Sequence, residues 1–426
     1  MAKMTEVLEI RNFLSIKELQ LDLSQINIIT GEMGSGKSLS IKLLKFFHDI
    51  IPRLFNRAYP KFILYLDFPK YQDHLRRKFM DYFTFSTQNG HNLPSFDIKY
   101  TFTSTGKTFF MRLTGTNAED MEIESPYLEN LLQNIKAELQ KKPKLAGDNV
   151  DTDSFDEFKH ECFDAIEKEF QGHYPFTAVF TPASRAVLAL GIDGSHNSDT
   201  RYNFLTKYKY LFDLLLKKPP HYVDIIDKIL KAHIEIEEND ELALYSLDGR
   251  KTYLPNSSSG QQEIIFPLMH LSRLHSNCLN YGKIRSIFIE EPSAQLYPKE
   301  QMEIINFIVK VFNDQQQTED KLRFYITTHS PYVLNSLNNI LKKGHFLEKC
   351  NEEQKKSFNE IPIQSLSLSD VAAYHLYYCE SGKYIGETMI KRNYIEPEKI
   401  RDISREIDEI DEKLCILHDK FFTEEE

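Results

Sequence analysis

A short glycine-rich segment near the N-terminus has the residue types and spacing of a phosphate-binding loop. The sequence GEMGSGKS matches the pattern G-x-x-x-x-G-K-[ST]. Glycines let backbone N–H groups approach an anion without an intervening Cβ, and the N-terminus of a following helix adds a positive dipole end. Lys37 would reach the β- and γ-phosphates, and the Ser38 hydroxyl would bind Mg2+. The predicted nucleotide ligands are Gly31, Glu32, Met33, Gly34, Ser35, Gly36, Lys37 and Ser38.

Two adjacent glutamates follow an apolar run in the second half of the chain. Residues 286–289 predict a buried strand, and Glu290 and Glu291 come directly after it. A carboxylate at the C-terminal end of a parallel strand, beside a phosphate loop, can complete the Mg2+ shell, which makes Glu290 a candidate metal ligand. Glu291 is then placed to polarise an attacking water. Taken alone, the two acids could instead solvate a turn.

Two further segments could contact an anion. Residues 257–263, SSSGQQE, precede a helical run, so Ser258, Gly260 and Gln261 form a second anion-binding helix start, with a plain helix cap as the alternative. His329 follows another apolar strand, and its imidazole could donate to a γ-phosphate. A surface histidine is the alternative there. The order of the four motifs along the chain favours a nucleotide site.

Strands and helices in a fixed order must position these motifs. Residues 26–30 predict a buried strand directly before the glycine-rich turn, and helical spacing of apolar residues then continues to Pro52. Later elements alternate as in a doubly wound parallel sheet: strand 286–289, helix 299–312, strand 323–327 and helix 331–341. Residues 26–50 and 257–341 are therefore expected to form one α/β sheet that a long insertion interrupts.

The remaining segments predict the surroundings of this sheet. Residues 7–30 alternate in bursts that suit two edge strands feeding the buried strand at 26–30. Residues 62–113 predict strands that include a hairpin around Ser104–Lys107. Charged, helix-prone residues follow over 118–175, broken by an exposed loop, KKPKLAGDN. Two more predictions are a helix over 201–238 and a hairpin around Asp248–Gly249.

The C-terminal 31 residues, 396–426, contain twelve acids and five bases. Apolar residues step by three and four after Pro397, which predicts an amphipathic helix. This helix could pack on its own domain or contact another subunit. The stripe consists of Ile400, Ile403, Ile407, Ile410, Leu414, Leu417 and Phe421.

Composition limits the classes of protein that fit. The 426 residues are 41% apolar and 27% charged, which excludes disorder as the main state and allows a large core. The 52 basic and 63 acidic residues give a net charge of −11, which argues against nonspecific coating of nucleic acid. Five scattered cysteines without C-x-x-C spacing indicate a reducing compartment. Without a signal-peptide pattern or an 18-residue apolar run, we expect a cytoplasmic protein that does not enter a membrane.

The motif order resembles the ABC-type ATPase heads of the RecF, SMC and overcoming-lysogenization-defect (OLD) type, often classed as AAA ATPases. The opening LEIRNFLSIKELQLDLSQINIITGEMGSGKS and the block EEPSAQLYP carry the resemblance. It implies an α/β P-loop fold, an ABC-ATPase head with an antiparallel β-subdomain and a helical insertion. The implied regions are 1–115 with Walker A and the β-subdomain, 116–255 as the mostly helical insertion, 256–395 with signature, Walker B and switch histidine, and 396–426 as the acidic helix.

The resemblance also implies a mechanism. In such heads two subunits sandwich two ATP molecules, each bound with Mg2+ by Walker A of one chain and by the signature motif, here with Ser258 and Gly260, of the other. EEP corresponds to Walker B and the D-loop, and His329 to the switch histidine. Hydrolysis requires the dimer. The chain departs from the pattern at Glu290, where many cassettes carry aspartate, and at Ser259, which replaces the first signature glycine.

Three other segments resemble parts of the same family. Arg185, within TPASRAVLAL, either faces the site or forms a buried structural ion pair. Gln88 is the candidate Q-loop glutamine. The stretch AAYHLYYCESGKYIGETMI resembles the β-hairpin that follows the switch histidine.

The leading hypothesis is a nucleotide-gated ATPase that forms a homodimer or higher oligomer. Compact relatives without a Toprim nuclease half serve in bacterial anti-phage systems of the PARIS or Septu type, which implies a separate effector such as a nuclease. One alternative is a RecF-like ATPase that binds DNA, through the basic runs Arg76–Lys78 and Lys141–Lys144. Another is an ATP-stabilised scaffold that binds a partner protein.

Overall fold

An eleven-stranded sheet joins the two halves of the chain. The computed structural model describes residues 4–83, 95–117, 120–142, 145, 151–175, 177–183, 221–237, 242–274, 284–318, 321–379, 384–391, 394–395 and 405–422. The strands of the large sheet, in spatial order, are β6 (Glu122–Glu124), β5 (Lys107–Gly115), β4 (Phe96–Ser104), β1 (Thr5–Phe13), β2 (Ile16–Leu23), β14 (Tyr384–Thr388), β13 (Val371–Tyr378), β3 (Ile26–Gly31), β12 (Lys321–Thr328), β11 (Ile284–Glu290) and β7 (Thr177–Thr181).

Smaller elements and twelve helices complete the described part of the chain. A three-stranded sheet contains β8 (Ala232–Ile236), β9 (Leu242–Ser246) and β10 (Lys251–Tyr253), and β15 (Ile390–Lys391) pairs with β16 (Tyr394–Ile395). The helices are α1 (Lys37–His48), α2 (Ile50–Phe55), α3 (Tyr59–Tyr65), α4 (Phe68–Tyr82), α5 (Pro126–Gln140), α6 (Thr152–Glu169), α7 (Val223–Leu230), α8 (Ser259–Leu271), α9 (Pro298–Gln316), α10 (Pro331–Lys349), α11 (Glu352–Asn359) and α12 (Arg405–Phe422). Within the described residues, none of the helices is both long and apolar enough to cross a membrane.

The predicted α/β sheet is confirmed at its centre. Strand β12 runs parallel to both β3 and β11, and all residues of β3 and β11 are buried. Such continuous burial is typical of parallel strands covered on both faces. The register pairs Thr328 with Thr30 and Glu290 with Thr327, so the three strands end at the same level. The glycine-rich loop, the two glutamates and His329 therefore emerge from one edge of the sheet.

Two apolar layers cover the two faces of this sheet. Ile29 belongs to the layer that includes residues of α1, α4, α5 and α6. Its neighbour Ile28 belongs to the opposite layer, with residues of α8, α9 and α10. Successive residues of a strand point to opposite faces, so one short apolar run can supply both cores.

The structure corrects the prediction of edge strands at the N-terminus. Strand β1 lies between β4 and β2, and β2 lies between β1 and β14, so both are interior strands. Alternating polarity shows which face is buried in an antiparallel sheet, but it does not distinguish edge from interior.

The prediction of strands from residue 62 is also wrong over its first part, because α3 and α4 occupy 59–82. The residues that α4 buries, Tyr71, His74, Leu75 and Phe79, recur at helical spacing, and Asp67 caps the helix by accepting from the Lys70 N–H. The first helix is also shorter than predicted. It ends at His48, and Pro52 falls in the first turn of α2, where proline is tolerated.

Other sequence predictions are confirmed. The hairpin at Ser104–Lys107 joins β4 to β5, with Thr105 and Gly106 both at positive φ. The Asp248–Gly249 hairpin joins β9 to β10, and β13 pairs antiparallel with β14. Helices α5 and α6 lie within 118–175. Of the predicted helix over 201–238, residues 201–220 lie outside the described residues, α7 covers 223–230, and strand β8 replaces helix over 232–236.

The C-terminal helix packs on its own chain. Ile410 and Leu414 are buried in the layer that contains α10, and Lys342 forms an ion pair with Asp411. Helix α12 begins at Arg405, whereas the start predicted at Pro397 lies outside the described residues. The structure thus agrees with the first of the two alternatives for the apolar stripe.

A buried carboxylate lies beneath the central strands. Glu6 of β1 is 1% exposed, and its Oε1 is 2.6 Å from His48 Nε2 and accepts from the Tyr100 hydroxyl at 3.0 Å. Its Oε2 accepts from Arg323 at 2.7 Å and from the Tyr325 hydroxyl at 3.0 Å. Burial alone would raise the pKa of Glu6, but His48, Arg323 and Tyr325 together hold that pKa down at about 2.

Replacing Glu6 with glutamine removes the charge that compensates the buried Arg323. We expect Glu6→Gln to lower the free energy of unfolding at pH 7 by about 3–5 kcal/mol, the usual cost of breaking a buried ion pair from one side. Because the folded pKa lies below the ordinary value of 4.5, this stabilisation is present above pH 4.5 and is lost as pH falls towards 2. Urea unfolding followed by circular dichroism at several pH values measures both effects.

A matched control is Glu18→Gln on β2. Glu18 pairs with Arg11 at 3.5 Å on the surface, with 62% of its side chain exposed. Such pairs contribute about 0–1 kcal/mol, so this variant should unfold close to the wild type. Equal destabilisation by the two substitutions would contradict a special role for the Glu6 carboxylate.

Candidate functional site

The glycine-rich loop leaves β3 in a conformation that requires glycine. Gly31 has φ +147°, and a Cβ there would lie 2.4 Å from the Leu376 carbonyl oxygen on β13. Gly36 has φ +99°, and a Cβ there would lie 2.7 Å from Ile16 Cγ1 on β2. Both backbone angles are unfavourable for residues with a side chain. The loop is therefore packed closely against β13 at Gly31 and against β2 at Gly36.

The loop borders a cavity of about 580 Å³. Gly36 is the N-cap of α1, and as a glycine it has no side chain to bond the N–H groups of that first turn. Uncapped N–H groups at a helix N-terminus bind anions well, and the helix dipole adds to the attraction. The cavity is lined by Leu14, Ser15, Met33, Gly34, Ser35, Gly36, Lys37, Ser38, Leu39, Glu291 and His329.

Lys37 folds back over the loop that precedes it. Its ammonium group donates to the carbonyl oxygens of Gly31 and Glu32, each at 2.8 Å. Burial lowers the pKa of Lys37, whereas Glu291 and Glu32 act in the opposite direction. A phosphate in the cavity would offer this ammonium group a charged acceptor in place of two carbonyls.

Ser35 and Ser38 differ in their surroundings within the loop. The Ser35 hydroxyl is buried, and among the described residues it has no hydrogen-bond partner. Such an atom could donate to a ligand oxygen. Ser38 is exposed and lines the cavity directly. Glu32, Met33 and Gly34 are also exposed, with Met33 at 95%.

Glu291 and His329 contact each other in the lining of the cavity. Glu291 adopts φ +46°, and its N–H donates to the Thr327 carbonyl at 2.9 Å, across the ends of β11 and β12. Its Oε2 is 2.9 Å from His329 Nδ1 and accepts from the His329 N–H at 3.3 Å. The His329 side chain is 69% exposed. A carboxylate and an imidazole thus lie where a water and a terminal phosphate could be bound.

Glu290 lies deeper than its neighbour and does not line the cavity. It is 4% exposed, and its Oε2 accepts from the Ala183 N–H at 3.0 Å. Its Oε1 lies 3.8 Å from Lys42 Nζ on α1. The described residues contain no group of three or more His, Cys, Asp or Glu side chains arranged for a metal. A Ser38 hydroxyl and a Glu290 carboxylate are nevertheless oxygen donors of the kind that Mg2+ prefers beside nucleotide phosphates.

The segment SSSGQQE begins α8 outside the lining of this cavity. Ser258 is the N-cap, and Ser258 and Gln261 form a capping box. The Gln261 amide also donates to the Leu230 carbonyl at 3.0 Å, so the glutamine is held in place by its own chain. A Cβ on Gly260 would lie 3.0 Å from the Gln295 carbonyl oxygen. None of these three residues lines the cavity formed by Lys37 and Glu291 of the same chain.

Several residues at the site were not singled out from the sequence. Leu14 and Ser15 line the cavity because the β1–β2 turn packs against Gly36. Lys42 could have been noticed from its spacing, because it follows Ser38 by four residues on one helix. The contact of Ala183 is made by a backbone N–H, which carries no sequence signal. Gln88 and Arg185 lie outside the described residues.

Comparisons with known proteins support an ATPase. Residues 192–334 match the family model of the AAA ATPase domain, a segment that contains SSSGQQE, Glu290, Glu291 and His329. Comparison with curated proteins gives no match. Residues 192–334 are thus similar to an ATPase domain, and the fold around them is α/β.

Among solved structures, the SMC head domain from Thermotoga maritima is similar at 10% identity with a TM-score of 0.39, covering 91% of this chain and 99% of that one. The SMC head bound to the C-winged helix domain of ScpA gives 11% identity and a TM-score of 0.41, covering 90% and 97%. A Pyrococcus furiosus structure of an SMC head with an extended coiled coil is bound to the C-terminal domain of ScpA. It gives 10% identity and a TM-score of 0.39, covering 90% of this chain and 96% of that one.

A side chain at Gly36 should disturb the loop specifically. Gly36→Ala would place a methyl group against Ile16 and impose a positive φ on alanine, so we expect nucleotide affinity to fall about tenfold or more. Equilibrium binding of a fluorescent ATP analogue measures the loss. Gly249→Ala is the control, because Gly249 also has a positive φ, +83°, but a Cβ there would have no atom within 4 Å. Similar losses in both variants would contradict the steric argument.

Proposed function

We propose that this protein is an Mg2+-dependent ABC-type ATPase that binds ATP between two copies of the chain and works as a nucleotide-gated switch. The observation that carries the proposal is the convergence of Lys37, Ser38, Glu291 and His329 on one cavity. These residues come from segments far apart in the sequence. Phosphoryl transfer to water requires a group that binds phosphate, a carboxylate that orients the water and a donor to the terminal phosphate. The side chains at this cavity are of the types that can fill these three roles.

The residues of the chain would act mainly by positioning and by charge. Lys37 and the N–H groups at the start of α1 would bind the β- and γ-phosphates. Glu291 would orient the attacking water, and His329 would both hold Glu291 and contact the γ-phosphate. Mg2+, held by Ser38 and Glu290, would neutralise charge that develops on the phosphate oxygens.

The position of the signature segment supports the proposed dimer. Ser258 and Ser259 are exposed at the start of α8, yet they are absent from the lining of the cavity in their own chain. A second copy can bring this helix start to the open side of the cavity, where its N–H groups would face the γ-phosphate. A twofold pair makes two such sites at once, because both copies contribute the same surfaces.

The setting that we propose is bacterial anti-phage defence with a separate effector, such as a nuclease. The support is the resemblance of the motif order to compact ATPase subunits of the PARIS or Septu type. Formation of the ATP-bound dimer would signal to that effector whether nucleotide is bound.

The basic runs give no support to the DNA-binding alternative. Arg76 pairs with Asp73 at 2.6 Å, and Lys78 forms an ion pair with Asp81. Lys141 pairs with Glu138 at 2.6 Å, and Lys142 with Glu161 at 2.5 Å. Cations that are neutralised within the chain attract phosphates less strongly.

The scaffold alternative also lacks a specific observation. The C-terminal apolar stripe is a surface that such a scaffold would use for its partner, but Ile410 and Leu414 of that stripe are buried against the chain's own core.

Replacing Glu291 should separate ATP binding from hydrolysis. We expect Glu291→Gln to retain ATP while phosphate release falls about 10²-fold or more, because glutamine cannot act as a base. The uncleaved nucleotide should then accumulate the dimer, which light scattering coupled to size exclusion would detect. Glu352→Gln, at an exposed glutamate on α11, is the control with unchanged turnover. Normal hydrolysis by the Glu291 variant would exclude the proposed role.

Blocking the start of α8 should prevent assembly without affecting the monomer. Ser258→Arg places a bulky cation on the exposed helix start, so we expect ATP binding by the monomer at wild-type affinity and no ATP-dependent dimer. Lys37→Ala should instead abolish ATP binding itself. Calorimetric titration and light scattering distinguish the two outcomes. Wild-type turnover by the Ser258 variant would refute a contribution of α8 to the partner's site.

A further inference from the structure

A lysine of α1 lies beside the buried glutamate of the site. Lys42 Nζ is 3.8 Å from Glu290 Oε1, and the two side chains are 28% and 6% exposed. Lys42 follows Ser38 by four residues within α1, which places both on one face of the helix. The lysine therefore lies one turn from the proposed metal-binding hydroxyl and faces the proposed metal-binding carboxylate.

The Glu290 carboxylate is fixed from its other side. Its Oε2 accepts from the Ala183 N–H at 3.0 Å, which leaves Oε1 directed towards Lys42. A separation of 3.8 Å is an ion pair without a hydrogen bond, so the contact is electrostatic and sets no narrow geometry. A buried carboxylate needs positive charge nearby, and Lys42 is one source of that charge.

We propose that Lys42 is a resident cation that competes with Mg2+ for the Glu290 carboxylate and thereby sets the Mg2+ concentration at which nucleotide binds. This inference rests on the proposed nucleotide site and adds a positioning residue to it. Lysine and metal ion carry charge of the same sign and face one carboxylate, so each weakens the binding of the other. The lysine side chain is long and partly exposed, so it can turn its charged end towards solvent when the metal ion arrives.

The competition has a consequence for control of the site. Without Lys42, the carboxylate would attract Mg2+ whether or not nucleotide is present. With Lys42 in place, metal binding becomes favourable when phosphate oxygens add their charge to that of Glu290. The lysine thus raises the Mg2+ concentration that the site needs, and the phosphate oxygens of a bound nucleotide lower it again.

The test is a titration of Mg2+ against binding of a fluorescent, non-hydrolysable ATP analogue, compared among variants. For Lys42→Met we expect the half-saturating Mg2+ concentration to fall about tenfold, because the competing charge is gone while the side-chain length is kept. Lys42→Arg retains the charge and should stay near the wild type. In a Glu290→Gln background, Lys42→Met should have a much smaller effect, because the carboxylate for which the cations compete is absent.

The opposite results would overturn the inference. A higher Mg2+ requirement in Lys42→Met would show that the lysine only orients Glu290, and an unchanged requirement would show that it has no role at the metal. Thermal unfolding of each variant checks that the fold is intact. Failure of the wild-type protein to bind the analogue at any Mg2+ concentration would instead refute the proposed nucleotide site itself.

Discussion

The buried carboxylate of Glu6 holds together the elements on which the candidate site is built. It contacts His48 at the end of α1, Tyr100 on β4, and Arg323 and Tyr325 on β12. The opposite end of α1 carries Lys37, and β12 leads directly into His329. A charge that cannot reach water must keep its partners, so this contact fixes the phosphate-binding helix relative to the strand that presents the histidine. The site at the surface therefore depends on a network in the core.

The centre of the fold could be predicted from local sequence signals. The backbone angles and the close packing at positions 31 and 36 require glycine. These two glycines are therefore visible as part of a motif in the sequence. Strands β3, β11 and β12 are buried almost throughout, so each contains a short apolar run that is visible in the sequence. Once these strands are taken as parallel, their polar ends must meet at one edge. Local patterns alone therefore place the loop, Glu291 and His329 at one site.

The rest depended on contacts between distant segments. The alternation of β1 and β2 is compatible with any antiparallel position, and only pairing with β4 and β14 places them inside the sheet. Residues 59–82 contain many aromatic residues, which occur in both strands and helices. They form helices here because their apolar faces pack on one core. The environment of Glu290 combines a side chain of α1 with a backbone N–H near β7. No spacing in the sequence encodes such a meeting of three segments.

The close approach of Gly260 to the Gln295 carbonyl has a mechanical consequence. The start of α8 rests on the turn that follows Glu291, and that turn is tightened by the hydrogen bond from the Ala294 N–H to the Glu291 carbonyl at 3.2 Å. A displacement of the start of α8 would therefore also displace this turn, which lies a few residues from Glu291. In the proposed symmetric pair, this turn would lie between the helix start that faces the partner's cavity and the Glu291 that lines the cavity of its own chain.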